Sequence, residues 1–388
     1  MRYANPLTRT AAQAITFVCA VFFVIFSIIY LHFFQPEFLG LEQDVLSQGQ
    51  TIYYPEWGTP LITLLLLGLG LFFRVIFPFP IRVQALAWFP SAFFLGVFTC
   101  MRFHENTNEF SHIPWVWIII LALLYVLSLI ICKMFPDTRS EKETLSTYMF
   151  PNMLILAFSF LCTCMIGNTS ASLHFELKAQ RMIAEENFDG ALRVGERNQS
   201  FTPRLTAMRA YALSRCNILG DSLFCYPLRA GSQDLLPICP DTLIRGNVPS
   251  DIYEYLGARP ASKFSEPHVT HFLELVYQHD TIPRPQVAQY LLCSYLLDKN
   301  LNKFSDFIVQ IYDSLTASVP RHYQEAIVLD TYLRNPNDST FCGQDIYDEF
   351  VHFYQQKSKY VSQGATIARN SCTEEFSHTY WFYYFFSN

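Results

Sequence analysis

The chain has 388 residues, of which 51% are hydrophobic and only 15% are charged, and its formal net charge is −6. Soluble globular domains carry about 25% charged residues, so this composition favours a protein that has a lipid bilayer as a partner. The acidic balance provides no basic field for phosphates, and Lys and Arg do not cluster among aromatic residues. The composition therefore excludes nucleic acid as an expected partner.

Five apolar stretches are long enough to cross a bilayer, whose hydrocarbon core needs roughly 20 residues of helix. In chain order they cover residues 11–34, 59–79, 83–101, 113–134 and 148–167. The first stretch is too long and too aromatic for a cleaved signal peptide, so we expect it to be retained. The sequence thus predicts an N-terminal segment of residues 1–10 and a transmembrane domain of about five helices over residues 11–167.

The short loops between these stretches differ in positive charge. The basic residues of the N-terminus, of the turn after the second stretch and of the loop after the fourth are Arg2, Arg9, Arg82, Lys133, Arg139 and Lys142. The loop after the first stretch has no Lys or Arg, and the loop after the third has only Arg102. Because positively charged loops stay in the cytoplasm, the N-terminus is predicted to be cytoplasmic. An odd number of spans then places residues 168–388 outside the cytoplasm.

The first predicted external loop contains Glu42 and Asp44, followed by the interfacial motif "TIYYPEWG". Multispanning glycosyltransferases with lipid-linked donors place an acidic residue in such a loop, as general base or metal ligand for the attacking hydroxyl. Glu42 and Asp44 are therefore candidate catalytic residues of an alternative function, an envelope glycosyl- or lipid-transferase.

The second predicted external loop, "RFHENTNEFSH", adds His104, Glu105 and Glu109 to the candidate catalytic set. A metal site built from these residues and His112 lacks the HExxH spacing, so a solvated, hydrogen-bonding loop is the preferred interpretation. No GxxxxGK, GxGxxG or GxSxG motif occurs in the chain. The sequence therefore predicts neither a metal nor a cofactor, and it favours a binding protein over an enzyme.

The predicted external region holds an even number of cysteines. They are Cys216, Cys225, Cys239, Cys293, Cys342 and Cys372. An even number in an oxidising compartment permits disulfides, although spacing alone leaves the connectivity open. We predict the pairs Cys342 with Cys372 and Cys225 with Cys239.

Residues 168–388 show helical periodicity arranged in pairs. "LHFELKAQRMIAEENFDGALRVGERN" indicates two helices joined by a turn at Asn187, and "RPQVAQYLLCSYLLDKN" with "LNKFSDFIVQIYDSL" indicates another pair. Thr202 and Pro203 suit the start of a further helix. The pairs resemble tetratricopeptide (TPR) repeats without a strict period of 34 residues. The predicted fold is all-α, with an extracytoplasmic, degenerate TPR-like solenoid following the membrane helices.

Residues 217–251 interrupt the predicted solenoid with a weakly periodic segment rich in Gly, Pro and Asp. Long ordered loops often carry function, so this segment is the best candidate for a partner-binding edge. A connection between repeats, held by Cys225 and Cys239, is an equally supported interpretation. At the other end of the region, "HTYWFYYFF" contains seven consecutive aromatic residues. That run is too short to span a bilayer. It is predicted either to pack over the helix that contains Ile346, Phe350 and Phe353, which is the preferred interpretation, or to lie at the outer membrane interface, where Tyr and Trp are favoured.

Several motifs together resemble a family of uncharacterised multispanning inner-membrane proteins of Gram-negative bacteria. They are "QTIYYPEWGTPLI", the His- and Asn-rich second loop, "EENFDGALRVGERN", "NILGDSLFCYP", "SDIYEYLGARPASKF" and "HTYWFYYFF". The resemblance implies an N-terminal membrane region and a periplasmic TPR-like tail, and it carries no activity. The expected function is a scaffold that binds a protein of the cell envelope. A transporter is disfavoured because the spans show no inverted repeat.

Overall fold

The computed structural model describes residues 6–47, 50–77, 79–100, 102–104, 109–111, 115–134, 145–196, 202–229, 231–237, 248–259, 268–279, 284–312, 319–335 and 344–387. Contacts divide the chain into two compact units. The N-terminal unit holds Met1–Ala171, and the C-terminal unit holds Ser172–Thr242 with Gly246–Asn388.

The N-terminal unit is built from long apolar helices. Its elements are α1 (Pro6–Ile29) continued by a π-helical turn (Tyr30–Phe34), α2 (Pro36–Ser47), α3 (Pro55–Ile76), a 3₁₀ segment (Ile81–Trp88), α4 (Phe89–Phe98), β1 (Arg102–His104), β2 (Glu109–Ser111), α5 (Trp115–Met134) and α6 (Leu145–Ile166). Among the described residues, four helical stretches are long and apolar enough to cross a membrane. They are Thr10–Phe34, Pro55–Ile76, Ile81–Phe98 and Leu145–Ile166.

The remaining predicted span corresponds to α5, a helix of 20 residues. Several of its side chains lie outside the described residues, so its membrane span stays a prediction. The described part of the chain is almost entirely helical, as predicted. The exception there is a short antiparallel hairpin in the second predicted loop, in which β1 pairs with β2.

Polar side chains hold the helices of the N-terminal unit together from within. Asn152 of α6 is fully buried; its Nδ2 donates to the Ile81 carbonyl at 2.9 Å, and its Oδ1 accepts from the Ala85 amide at 2.7 Å. Ser91 of α4 donates to the Leu66 carbonyl of α3 at 2.8 Å. Irregular backbone in an apolar setting needs such internal partners, so Asn152 fixes the 3₁₀ segment against α6.

The helices after the N-terminal unit are shorter and amphipathic. They are α7 (Ala171–Ala184), α8 (Phe188–Arg193), α9 (Pro203–Arg215), α10 (Leu219–Ser222), α11 (Val248–Leu256), α12 (Val269–His279), α13 (Pro285–Leu297), α14 (Leu301–Ile311), α15 (Arg321–Arg334), α16 (Gln344–Val361), α17 (Ala365–Phe376) and α18 (Tyr380–Phe386). From α12 to α17, each helix packs against the next one in the chain.

One type of turn recurs between these helices. Glu186, Asn217 and Lys299 adopt left-handed backbone conformations with φ between 56° and 58°. In each case the next amide reaches the carbonyl five residues earlier, at 2.8 or 2.9 Å. This is the Schellman arrangement, which satisfies the open carbonyls of a helix end. After two of the turns, Asn187 and Asn300 cap the following helix, and the Asn187 turn lies where the sequence predicts one.

The aromatic terminus forms α18 and is part of the core of the C-terminal unit. Thr379 caps the helix by accepting from the Phe382 amide, and Trp381 is fully buried. The Trp381 ring lies 5.4 Å from Phe350 and 6.2 Å from Phe353, measured between centroids. The run therefore covers the predicted face of α16, where contact between the rings removes a large apolar surface from water.

Candidate functional site

An open groove of about 360 Å³ lies in the C-terminal unit, bordered by the α7–α8 turn, α9 and α11. Its aromatic wall consists of Phe188 of α8, Tyr211 of α9 and Tyr255 of α11. The Tyr211 ring meets Phe188 at 6.0 Å and Tyr255 at 5.4 Å, in each case edge to face. This is a favoured geometry for aromatic pairs, so the wall has a defined shape.

Arg215, in the last turn of α9, lies against this aromatic wall. Its guanidinium carbon is 4.7 Å from the Phe188 ring centroid and 5.6 Å from that of Tyr255. Its Nη1 also donates to the Tyr211 hydroxyl at 3.0 Å. Burial raises the pKa of Tyr211 although Arg215 opposes the shift, so the phenol stays neutral. These contacts fix one cation on the groove surface.

Three carboxylates line the same groove: Glu186 at the α7–α8 turn, and Asp251 and Glu254 on α11. Burial, followed by repulsion from Glu254, raises the pKa of Asp251. Three acidic side chains against one guanidinium leave the groove acidic overall. Its electrostatic field therefore favours a ligand with more than one positive charge.

One protein family matches this chain over both of its units. Residues 14–263 and 258–387 match the family of unknown function DUF6057. The chain belongs to that family. No curated protein and no solved structure shows a significant match to this DUF6057 member.

Among the predicted site residues of this DUF6057 member, Glu42 lies on α2, half-buried. Burial raises the pKa of the Glu42 carboxyl to about 7, which is the range in which a carboxyl can both accept and donate a proton near neutral pH. Asp44 lies on the same helix, but its side chain is outside the described residues. Of the two candidate catalytic carboxylates in the first loop, Glu42 is therefore the one whose side-chain surroundings the structure describes.

In the second predicted loop, two candidate catalytic residues occupy paired positions of the β-hairpin. His104 on β1 pairs with Glu109 on β2 as direct cross-strand neighbours, although their side chains lie outside the described part of the chain. Glu105 and His112 fall outside the described residues altogether. Within the residues that the structure describes, no three His, Cys, Asp or Glu side chains come together as a metal site.

The predicted disulfides each have one partner within the described residues. Cys225 ends a short 3₁₀ segment, Leu223–Cys225, and its side chain is exposed. Cys372 is buried on α17. Their predicted partners, Cys239 and Cys342, lie outside the described residues, so both pairings stay predictions.

Sequence reasoning missed the groove, although the signal was present. Tyr211 and Arg215 are four residues apart on α9, and Asp251 and Tyr255 are four residues apart on α11. That spacing puts each pair on one helix face. Asp251 also ends the irregular segment that the sequence predicts as a binding edge, but only folding brings that edge against Phe188 of α8.

Proposed function

We propose that this DUF6057 member is a multispanning protein of the bacterial inner membrane whose C-terminal unit binds a protein of the cell envelope. Four helices of sufficient length and apolarity support the membrane anchor. Their outward side chains support it further, since Phe17, Leu64 and Phe150 are each 64–72% exposed. The loop charges support a cytoplasmic N-terminus and a periplasmic C-terminal unit.

The acidic, aromatic groove is the observation that carries the binding function. The Phe188, Tyr211 and Tyr255 rings give a preformed apolar wall, and three carboxylates give a negative rim. We assign to it a basic peptide segment of a partner protein. The consecutive packing of α12 to α17 and the recurring turn support a degenerate TPR-like architecture, which presents such surfaces to extended ligands.

Site-specific photocrosslinking in cells tests this assignment. A benzophenone amino acid replaces Ala184, an exposed residue on the groove edge, and for comparison Ile367 on α17, which is 47% exposed. We expect a discrete adduct from position 184 and none from 367. Synthetic Lys-rich and Glu-rich peptides of equal length then serve as direct probes, and the Lys-rich peptide should protect position 184.

Charge reversal in the groove provides the matched variants. Glu186→Lys and Glu254→Lys together should abolish the adduct and the peptide protection, whereas Glu374→Lys on exposed α17 should leave both unchanged. Lysine is tolerated at the left-handed turn, because Lys299 occupies the equivalent position with φ 56°. An adduct that survives groove reversal would exclude the groove as the binding site.

Reporter fusions test the proposed topology separately. A periplasm-dependent reporter joined after Gly167 should be active, and the same reporter joined at the N-terminus should be inactive. Activity in the reverse pattern would overturn the orientation while leaving the groove assignment open to the crosslinking test.

The raised pKa of Glu42 favours a second candidate, the envelope glycosyl- or lipid-transferase. A half-buried carboxyl that titrates near pH 7 can act as general base toward an attacking hydroxyl. Glu42→Gln should then abolish transfer from a lipid-linked sugar donor to an envelope acceptor. Glu56→Gln, on the exposed first turn of α3, should retain it, and full activity of the Glu42 variant would exclude this function.

A further inference from the structure

In the C-terminal unit, the Cys225 thiol contacts the His322 imidazole, which in turn contacts the Glu325 carboxylate. The Cys225 sulfur is 4.0 Å from Nε2 of His322, and Nδ1 of the same ring is 3.0 Å from Oε2 of Glu325. Cys225 is exposed, whereas His322 and Glu325 have 1% and 0% of their surface exposed. Because the two ring nitrogens face different partners, the three groups form a relay and do not converge on a point as metal ligands would.

Glu325 is held in place by further donors. Its Oε1 accepts from Nε of Arg321 at 3.0 Å, and its Oε2 accepts from the Tyr380 amide at 2.7 Å. The Tyr380 amide belongs to the first turn of α18, so the aromatic terminus also positions this carboxylate. A base that is oriented by a fixed third group is the general arrangement that activates a nucleophile.

The imidazole is held in its charged form. Burial opposes protonation of His322, but its contacts with Cys225 and Glu325 outweigh burial and raise its pKa to about 9. The carboxyl pKa of Glu325 is lowered, because His322, the Tyr380 amide and Arg321 together outweigh burial. Two further carboxylates contact Arg321: Glu349 of α16 binds its guanidinium, and Asp221 accepts from its backbone amide at 2.7 Å. A cationic donor thus faces the Cys225 sulfur.

We propose that Cys225 is the nucleophile of a thiol–disulfide exchange site, in which the His322 imidazolium stabilises the Cys225 thiolate and Glu325 orients the ring. The Cys225 thiolate attacks one sulfur of a disulfide in a partner molecule. The partner's S–S bond breaks, a mixed disulfide with Cys225 forms, and the departing thiolate takes a proton from solvent. The proton that Cys225 gave up stays on the imidazole, so no external oxidant or reductant is consumed.

The arrangement of exposure fits this chemistry. The Cys225 sulfur reaches the surface beside the His378 carbonyl, at 3.8 Å, while the Phe224 ring meets His322 edge on with centroids 5.1 Å apart. A partner disulfide therefore reaches the sulfur without entering the core. Exchange requires no oxyanion-binding groups, in contrast to acyl transfer, so the three residues are sufficient for the step.

The labelling rate of each cysteine with a small neutral disulfide, 4,4′-dithiodipyridine, tests the proposal on the full chain in detergent. The protein is first reduced and the reductant is removed, so that any earlier disulfide at Cys225 is opened. Quenched samples are analysed by peptide mass spectrometry. Cys216 is the internal comparison, because burial and the Asp189 carboxylate, 3.9 Å from its sulfur, raise its pKa although Arg215 opposes the shift.

We expect Cys225 to react at least about tenfold faster than Cys216 at pH 7, because the His322 cation lies beside the attacking sulfur. A Cys225 rate that does not exceed the Cys216 rate would overturn the proposal without any variant.

Two substitutions separate chemistry from exposure. His322→Gln should slow Cys225 labelling about tenfold, whereas His378→Gln should leave the rate unchanged, because it is the backbone carbonyl of His378 that contacts the sulfur. If His322→Gln does not fold, Glu325→Gln takes its place and should slow labelling. Unchanged labelling in a folded His322→Gln protein would also overturn the proposal.

Discussion

The two units are both helical and both bury polar groups, but their exposed surfaces differ. Asn152 and Ser91 are fully buried in the N-terminal unit, as is Glu325 in the C-terminal unit. Leu64 of α3 is nevertheless 64% exposed, whereas Trp381 and Phe350 of the C-terminal unit are fully buried. Under the proposed membrane location this difference follows from the surroundings, because apolar side chains contact lipid without cost whereas water drives them into a core.

The largest expected effect concerns the aromatic core of the C-terminal unit. Trp381→Ala removes a fully buried ring that contacts Phe350 and Phe353, and it should lower the free energy of unfolding by about 3–5 kcal/mol. Phe382→Ala, at a half-buried position of the same helix, should cost well under half as much. Urea titration followed by circular dichroism measures both, and equal losses would contradict the core assignment of α18.

Replacement of an exposed leucine by lysine should have different effects in the two units. Leu64→Lys on α3 should cost about 3 kcal/mol of membrane insertion, because a charge in the hydrocarbon region is expensive. Leu333→Lys on α15, where leucine is 51% exposed, should change stability by no more than about 0.5 kcal/mol. Carbonate extraction and protein level report insertion. Normal insertion of the Leu64 variant would contradict lipid contact at that face.

The buried His322–Glu325 pair makes the C-terminal unit sensitive to pH. The His322 pKa rises from 6.5 to about 9 on folding, so its contribution is complete below pH 6.5 and is lost as the pH rises through 9. The total loss is on the order of 3 kcal/mol. The Glu325 pKa is lowered, so its contribution is present above 4.5 and is lost on acidification.

Urea midpoints measured from pH 4 to 10 check this profile, with His322→Gln as the comparison. In the His322→Gln variant, the urea midpoint should not decline at alkaline pH. Its dependence on pH should otherwise match that of the unsubstituted protein above pH 5. An alkaline decline of the same size in the variant would assign it to other groups.

The smallest expected effect lies in the N-terminal unit. Asn152→Leu leaves the Ala85 amide and the Ile81 carbonyl without their partner, which should cost about 1–3 kcal/mol. Ser159→Ala removes a hydrogen bond within α6 alone, to the Ile155 carbonyl, and should cost less than about 1 kcal/mol. Thermal aggregation midpoints in detergent compare the two. A larger effect at Ser159 would contradict the role of Asn152 between segments.

The local pattern of residues in the sequence was sufficient to predict the helical fold class, the four apolar helical stretches and the turn at Asn187. Apolar runs, helical spacing and Asn caps act over a few neighbouring residues, so their effects are visible in the order of residues alone. The packing of the aromatic run against Phe350 and Phe353 was also predictable, because so large an apolar surface must be covered.

Only the tertiary structure decided which distant side chains meet. Cys225 and His322 are 97 residues apart, and Tyr211 and Tyr255 are 44 residues apart, yet each pair is in contact. Their proximity follows from the packing of α10 and α18 on α15, and from the groove between α9 and α11. The spacing of neighbouring residues in the sequence does not indicate such pairs. Their contacts form only when the fold brings together segments that are far apart in the chain.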